Sequence, residues 1–159
     1  MKRIVRATAV VLALGASLTM AGCSTKTNTA AIVDGRTITL DEVTTATREI
    51  NQAVDPSQPV TAAQALSVLI WAPAVIDKAA QNGFPQSDSQ ARSVLPMQDP
   101  DPATIRIVQY INAVDHVSAA ERMEIAQHLK VTVNPRFGTF DKSKGLVAPL
   151  RPNGLTSAS

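Results

Sequence analysis

The stretch Thr61-Ala62-Ala63-Gln64-Ala65-Leu66-Ser67-Val68-Leu69-Ile70-Trp71-Ala72-Pro73-Ala74-Val75-Ile76-Asp77-Lys78-Ala79-Ala80-Gln81-Asn82 is the most apolar part of the chain beyond residue 22. Thr61 and Gln64 have the spacing of a capping box, in which two polar side chains satisfy amides that a helix leaves open at its start. Gly83 supplies a natural stop at the other end. Leu66, Leu69, Ile70, Trp71, Val75 and Ile76 cover more than one stripe of such a helix, which places it centrally among neighbours. Pro73 has no amide to donate and crowds the carbonyl of Leu69, so the segment is either a kinked helix or two shorter ones.

The flanking segments carry similar punctuation. Before it, Thr39-Leu40-Asp41-Glu42 opens a helix with Leu40, Val43, Thr47, Ile50 and Val54 on one face, ended by Asp55-Pro56. After it, Ser87-Asp88-Ser89-Gln90 opens a short third helix that Pro96 closes. Asp101-Pro102 opens a fourth, with Pro where the first turn tolerates it. Ser118-Ala119-Ala120-Glu121 opens a fifth that runs to about Lys130. The ends have β character: Ile32-Val33 and Thr37-Ile38-Thr39 flank Asp34-Gly35, a tight-turn dipeptide, and Val131-Thr132-Val133 needs a partner strand. The first extended segment is its natural partner. The fold class is therefore mainly α, a bundle of about five helices with a minimal two- or three-stranded sheet joining the ends of a domain over residues 30–141. Residues 142–159 read as a loose tail.

Outside that domain the chain reads as an address. Lys2, Arg3 and Arg6 precede an apolar run over Ala7–Leu18, shorter than the roughly 20 residues of a membrane span. A basic start, a short apolar middle and small residues at the end make residues 1–22 a secretory signal peptide. Leu18-Thr19-Met20-Ala21-Gly22-Cys23 resembles the bacterial lipobox, with Met20 where Leu is usual. That resemblance implies cleavage before Cys23 and a diacylglyceryl group on its thiol. Residues 23–29 are then a lipidated cysteine and a polar tether, and no later run looks long enough to span a membrane. The chain has one Cys, so no internal disulfide is available. Removing residues 1–22 leaves 12 Lys+Arg against 13 Asp+Glu, a formal charge of −1 rather than +2. The basic balance belongs to the precursor and gives no argument for nucleic acid as a partner.

Two segments carry a family resemblance. Ala31-Ile32-Val33-Asp34-Gly35-Arg36-Thr37-Ile38-Thr39 followed by Asp41-Glu42-Val43 is similar to the start of the chaperone domain of SurA-like proteins. Val131-Thr132-Val133-Asn134-Pro135-Arg136-Phe137-Gly138-Thr139-Phe140-Asp141 resembles the end of short SurA-type lipoproteins, with Phe137 where those have Tyr. The resemblance implies a chaperone-like fold that binds extended polypeptide. It does not bring a prolyl isomerase domain, because only 18 residues follow Asp141.

The residues themselves offer little chemistry. His116 and His128 fall on different predicted helices, Cys23 is committed to lipid, and no Gly-rich phosphate loop or nucleophile motif occurs. Glu121 and Glu124 share a helix face but also occupy a first turn, where acidic side chains favour the helix end. Asp99-Pro100-Asp101-Pro102 is an interhelical loop ending in a cap. No catalytic, metal or cofactor site is expected, and the chain does not read as an enzyme. Leu66, Leu69, Ile70 and Trp71 are either ordinary core or the lining of a polypeptide-binding groove. Arg136, Phe137 and Phe140 either seal the sheet edge or face a partner. The expected function is that of an exported, membrane-anchored lipoprotein of the cell envelope that holds or guides exported polypeptides. The alternative is a module that docks to one folded partner in an envelope or secretion complex.

Overall fold

The computed structural model describes residues 28–148; the signal segment, Cys23 and most of the tether, and the chain beyond Ala148 lie outside the described residues. β1 (Thr29–Val33) and β2 (Arg36–Thr39) form an antiparallel hairpin. Its turn residues Asp34 and Gly35 have φ of 49° and 84°, a conformation that an Asp-Gly pair accepts at little cost. β2 passes straight into α1 (Leu40–Ala53). At that junction the Glu42 amide donates to the Thr39 hydroxyl at 3.1 Å, and the Thr39 amide donates to the Glu42 carboxylate at 2.7 Å.

Then come α2 (Ala62–Gln81), α3 (Asp88–Ser93), α4 (Pro102–Val114) and α5 (Ala119–His128), followed by β3 (Val131–Val133), β4 (Thr139–Asp141) and β5 (Leu146–Ala148). The class is mainly α with a minimal sheet, as the sequence indicates. α2 is a single helix that continues through Pro73. It is also long and apolar enough to cross a membrane by length and composition, which the sequence reading did not grant any segment after the signal. Its apolar side chains are used in the core instead: Leu66, Leu69, Ile70 and Val75 are buried, and the helix packs on α1, α4, α5, β1 and β5. The capping boxes of α1, α2 and α5 form. The one expected at Ser87 does not. There the Ser87 hydroxyl meets that of Ser89 at 2.7 Å, and the helix is only 6 residues long. His116 lies in the turn after α4 rather than on a helix.

The first sheet has the order β2-β1-β3, with Ala31 opposite Val133 and Val33 opposite Val131. It joins the two ends of the domain. Asp34 fastens this closure from outside the ladder: its amide donates to the Lys130 carbonyl at 2.9 Å, and its carboxylate accepts from the Lys130 amide at 3.0 Å. Glu49 does similar work between α1 and α4. Its carboxylate, 9% exposed as a residue, accepts from the Asp101 amide at 2.9 Å and from the Thr104 hydroxyl at 2.6 Å. An acidic side chain from one helix thus satisfies the open first turn of another. Among the described residues no buried side-chain polar atom lacks a partner.

The tail is the main correction. Residues 142–148 are not loose, because β4 and β5 pair antiparallel as a second, two-stranded sheet and Val147 is buried. The domain therefore extends at least to Ala148. Sequence patterning misses this because each strand has only three residues, and such strands persist only when docked.

Candidate functional site

A concavity lies among the described residues where this terminal hairpin meets α2 and α5. Its construction begins at Asn134, which ends the first sheet and turns the chain. The Asn134 amide donates to the Ala30 carbonyl at 2.8 Å, its side-chain amide donates to the Thr29 carbonyl at 2.8 Å, and the Phe137 amide closes a turn onto its carbonyl at 2.9 Å. The chain then enters β4. At the hairpin tip Asp141 organises the loop: its carboxylate accepts from the Ser143 amide at 2.9 Å and hydroxyl at 2.6 Å, and its carbonyl accepts from the Gly145 amide at 2.8 Å. Those hydrogen bonds from Ser143, together with nearby Lys144, hold the Asp141 carboxyl below the usual carboxylate range, burial opposing them.

Two contacts dock the hairpin on α2. The Val147 amide donates to the Ser67 hydroxyl at 2.8 Å, and the Trp71 indole nitrogen donates to the Gly145 carbonyl at 2.8 Å. Phe140 completes the arrangement with its ring tilted 55° against Trp71, centroids 6.3 Å apart. Gly145 has φ of 65°, and a Cβ there would lie 2.9 Å from two atoms of the indole. Only glycine allows the turn to sit this close.

Between this turn and α5 runs an open cleft of about 610 Å³. Trp71 and Tyr110 line its inner part, and Ala119, Met123 and Ala126 come from α5. Leu146 and Met123 expose 51% and 64% of their surface at its lips, an apolar pair with nothing covering it among the described residues. Arg122, Lys142 and Lys144 add positive charge. Arg122 is held in place by donating to the carbonyls of Val114 at 3.0 Å and Val117 at 2.6 Å, which also caps the end of α4. Burial pushes the Tyr110 phenol above its ordinary value, with Arg122 pulling weakly the other way.

The opposite side of α5 borders a smaller hollow of about 380 Å³, lined by Asp34, Asp77, Lys78, Glu121, Glu124 and His128 among others. Glu121 is committed there. It accepts from the hydroxyl and amide of Ser118, each at 2.8 Å, and lies 3.4 Å from Lys78. The Ser118 hydroxyl and then its amide hold the Glu121 carboxyl down at about 2. No group of three or more His, Cys, Asp or Glu residues among the described residues is placed to hold a metal ion.

The residues singled out from sequence divide as follows. Leu66, Leu69 and Ile70 are at most 2% exposed and belong to the core, so they line no groove. Trp71 alone of that group reaches the cleft. Phe137 and Phe140 are partly buried and pack against the core, leaving Arg136 as the exposed member of its group. The Phe140 ring leans on Trp71, so part of this aromatic surface is used within the domain. Cys23 lies outside the described residues. Sequence reasoning missed Tyr110, Met123, Arg122, Lys142, Lys144 and Leu146. The spacing of Ala119, Arg122, Met123 and Ala126 marks one face of α5, but nothing in the sequence says what that face meets.

No protein-family model, curated protein or solved structure matches the chain.

Proposed function

We propose that the chain is an exported lipoprotein, anchored through a lipid on Cys23, whose helical domain holds extended segments of exported polypeptides without catalysing a reaction. The observation that carries this reading is the open apolar cleft beside Gly145, with Trp71 within it and Met123 and Leu146 exposed at its edge. An exposed methionine suits variable partners, since its unbranched, polarizable side chain repacks against different shapes. Burying Met123 and Leu146 under a bound segment removes apolar surface from water at about 25 cal/mol per Å². The similarity of residues 31–43 and 131–141 to SurA-type chaperones supports the same reading, as does the lipobox-like Ala21-Gly22-Cys23.

The test uses residues 24–159 and several unrelated, chemically unfolded proteins. The domain is expected to slow their aggregation, and Met123→Glu is expected to weaken that effect, because it puts a charge on an exposed apolar lip without touching the core. A folded domain that slows none of them would refute the holding function. A Met123→Glu domain as effective as the original would remove the cleft from it.

A further inference from the structure

We infer that the cleft is selective, and that the polypeptide segments it takes are apolar stretches flanked by carboxylate side chains. This rests on the holding function proposed above and names the class of segment that the site prefers.

The inference comes from how charge is distributed. Residues 28–148 contain ten Lys+Arg and thirteen Asp+Glu, a formal charge of −3. A cleft drawn at random from such a domain would be lined by more acid than base. Instead Arg122, Lys142 and Lys144 line it and no carboxylate does. α5 produces the separation. Its Arg122 side faces the cleft, whereas Glu121 and Glu124, on its other side, face the hollow they share with Asp34 and Asp77. The acids are thus not absent but placed on the far side of one helix.

Two of these cations are also incompletely neutralised. Lys144 has Asp141 at 4.0 Å, the outer limit of an ion pair, and is 73% exposed. Arg122 Nη1 donates to two neutral carbonyls, which leave its charge in place. Positive charge over a low-dielectric, apolar floor concentrates field in the cleft and favours an acidic ligand.

A polypeptide fits this lining better than a lipid chain. The cleft is open rather than enclosed, and the Gln127 side chain places a polar group in it. A peptide backbone has donors and acceptors for such a group, whereas an acyl chain has none.

Trp71 is the only tryptophan in the chain, so its emission reports the cleft directly. The experiment uses the full chain in phosphatidylcholine vesicles. Tryptophan-free peptides with one shared leucine- and phenylalanine-rich centre, flanked by aspartates, serines or lysines, are titrated against it. Charge contacts with two exposed lysines and the partly buried Arg122 give the aspartate peptide an expected advantage of about fivefold to tenfold over the serine peptide. The lysine peptide should bind more weakly still. At about 1 M salt the screening length falls to about 3 Å, and the advantage should vanish while apolar binding remains. Lys142→Ser with Lys144→Ser should remove most of it at low salt; both side chains are exposed, so the fold is retained. Equal affinity for all three peptides would overturn the selectivity and leave the holding function standing. Failure of every peptide to change the emission would overturn both. A response to phosphatidylglycerol in the vesicles, with none to peptide, would assign the cleft to lipid headgroups and also overturn the inference.

Discussion

Gly145→Ala tests whether the terminal hairpin is docked as described. At φ of 65°, an alanine is strained by about 1–2 kcal/mol. Its Cβ would also lie 2.9 Å from Trp71 Cζ2 and Nε1 and 3.0 Å from Cε2, an overpacking of a kind that costs about 1–3 kcal/mol. The docking it threatens consists of the Trp71–Gly145 and Ser67–Val147 hydrogen bonds, about 1 kcal/mol each, and burial of Val147, about 1.5–3 kcal/mol. The cost of ordering the turn is subtracted from that sum. Strain of about 2–5 kcal/mol is therefore comparable with docking of about 3.5–5 kcal/mol less that ordering cost, and the hairpin should release rather than compress the indole.

The assay is emission from the single tryptophan together with urea denaturation. Release exposes Trp71 and shifts its emission to the red before the main transition, while far-UV dichroism reports an intact bundle. Gly35→Ala is the control. It has φ of 84° with nothing within 4 Å of the added Cβ, so it carries the conformational cost and no clash, and Trp71 emission should stay unchanged. Gly145→Ala with unshifted emission and a midpoint no lower than that of Gly35→Ala would refute the docked geometry.

Three further outcomes follow from the contacts described. Glu49→Ala removes the acceptor of the Asp101 amide and the Thr104 hydroxyl and should lower stability by about 2–3 kcal/mol in urea denaturation; Thr104→Val, which removes only one donor, should cost less. Glu121 is held down at about 2 from an ordinary 4.5, so its contribution is complete above about pH 4.5 and is lost as pH falls through about 2. Protection of the α5 amides, taken relative to their intrinsic exchange rates, should fall over that window, and Glu121→Gln should flatten the dependence; an unaltered profile in Glu121→Gln would count against the capping box as its source. Cys23→Ser should move the protein out of the membrane fraction without altering the dichroism of the domain, and retention in washed membranes would argue against a lipid anchor.

The order and class of the elements from β1 to β3 were legible because they rest on local signals. Thr39, Thr61 and Ser118 announce helix starts through residues three positions away, and Asp34-Gly35 announces its turn by conformational preference. Ser87 carries the same signal, and there the box does not form. Glu49 could have been placed on the buried face of α1, between Ala46 and Ile50 at helical spacing, yet its partners are more than fifty residues distant. The cleft was illegible for the same reason. Its walls come from α2, α4, α5 and the hairpin tip, and the hairpin strands are too short to register as a pattern. The apolar weight of Leu66, Leu69 and Ile70 pointed to the interior of α2, whereas the surface that remains open lies one residue further on, at Trp71.

Trp71 ties the cleft to the stability of the domain's end. The indole that faces the cleft is also the donor that fixes Gly145, and the turn fixed in this way carries Lys142, Lys144 and Leu146 into the lining. Anything that pulls the hairpin away removes two of the three cations and one apolar lip at once, leaving Arg122 and Met123 on a bare helix face. A segment held as proposed, touching both α5 and the turn, would have the opposite effect, since it would add contacts available only while the hairpin is docked. By linkage, a ligand that prefers the docked state stabilises it. For a segment held as proposed, binding and the closure of the last strands would be coupled equilibria, and the residue that reports on either is the same tryptophan.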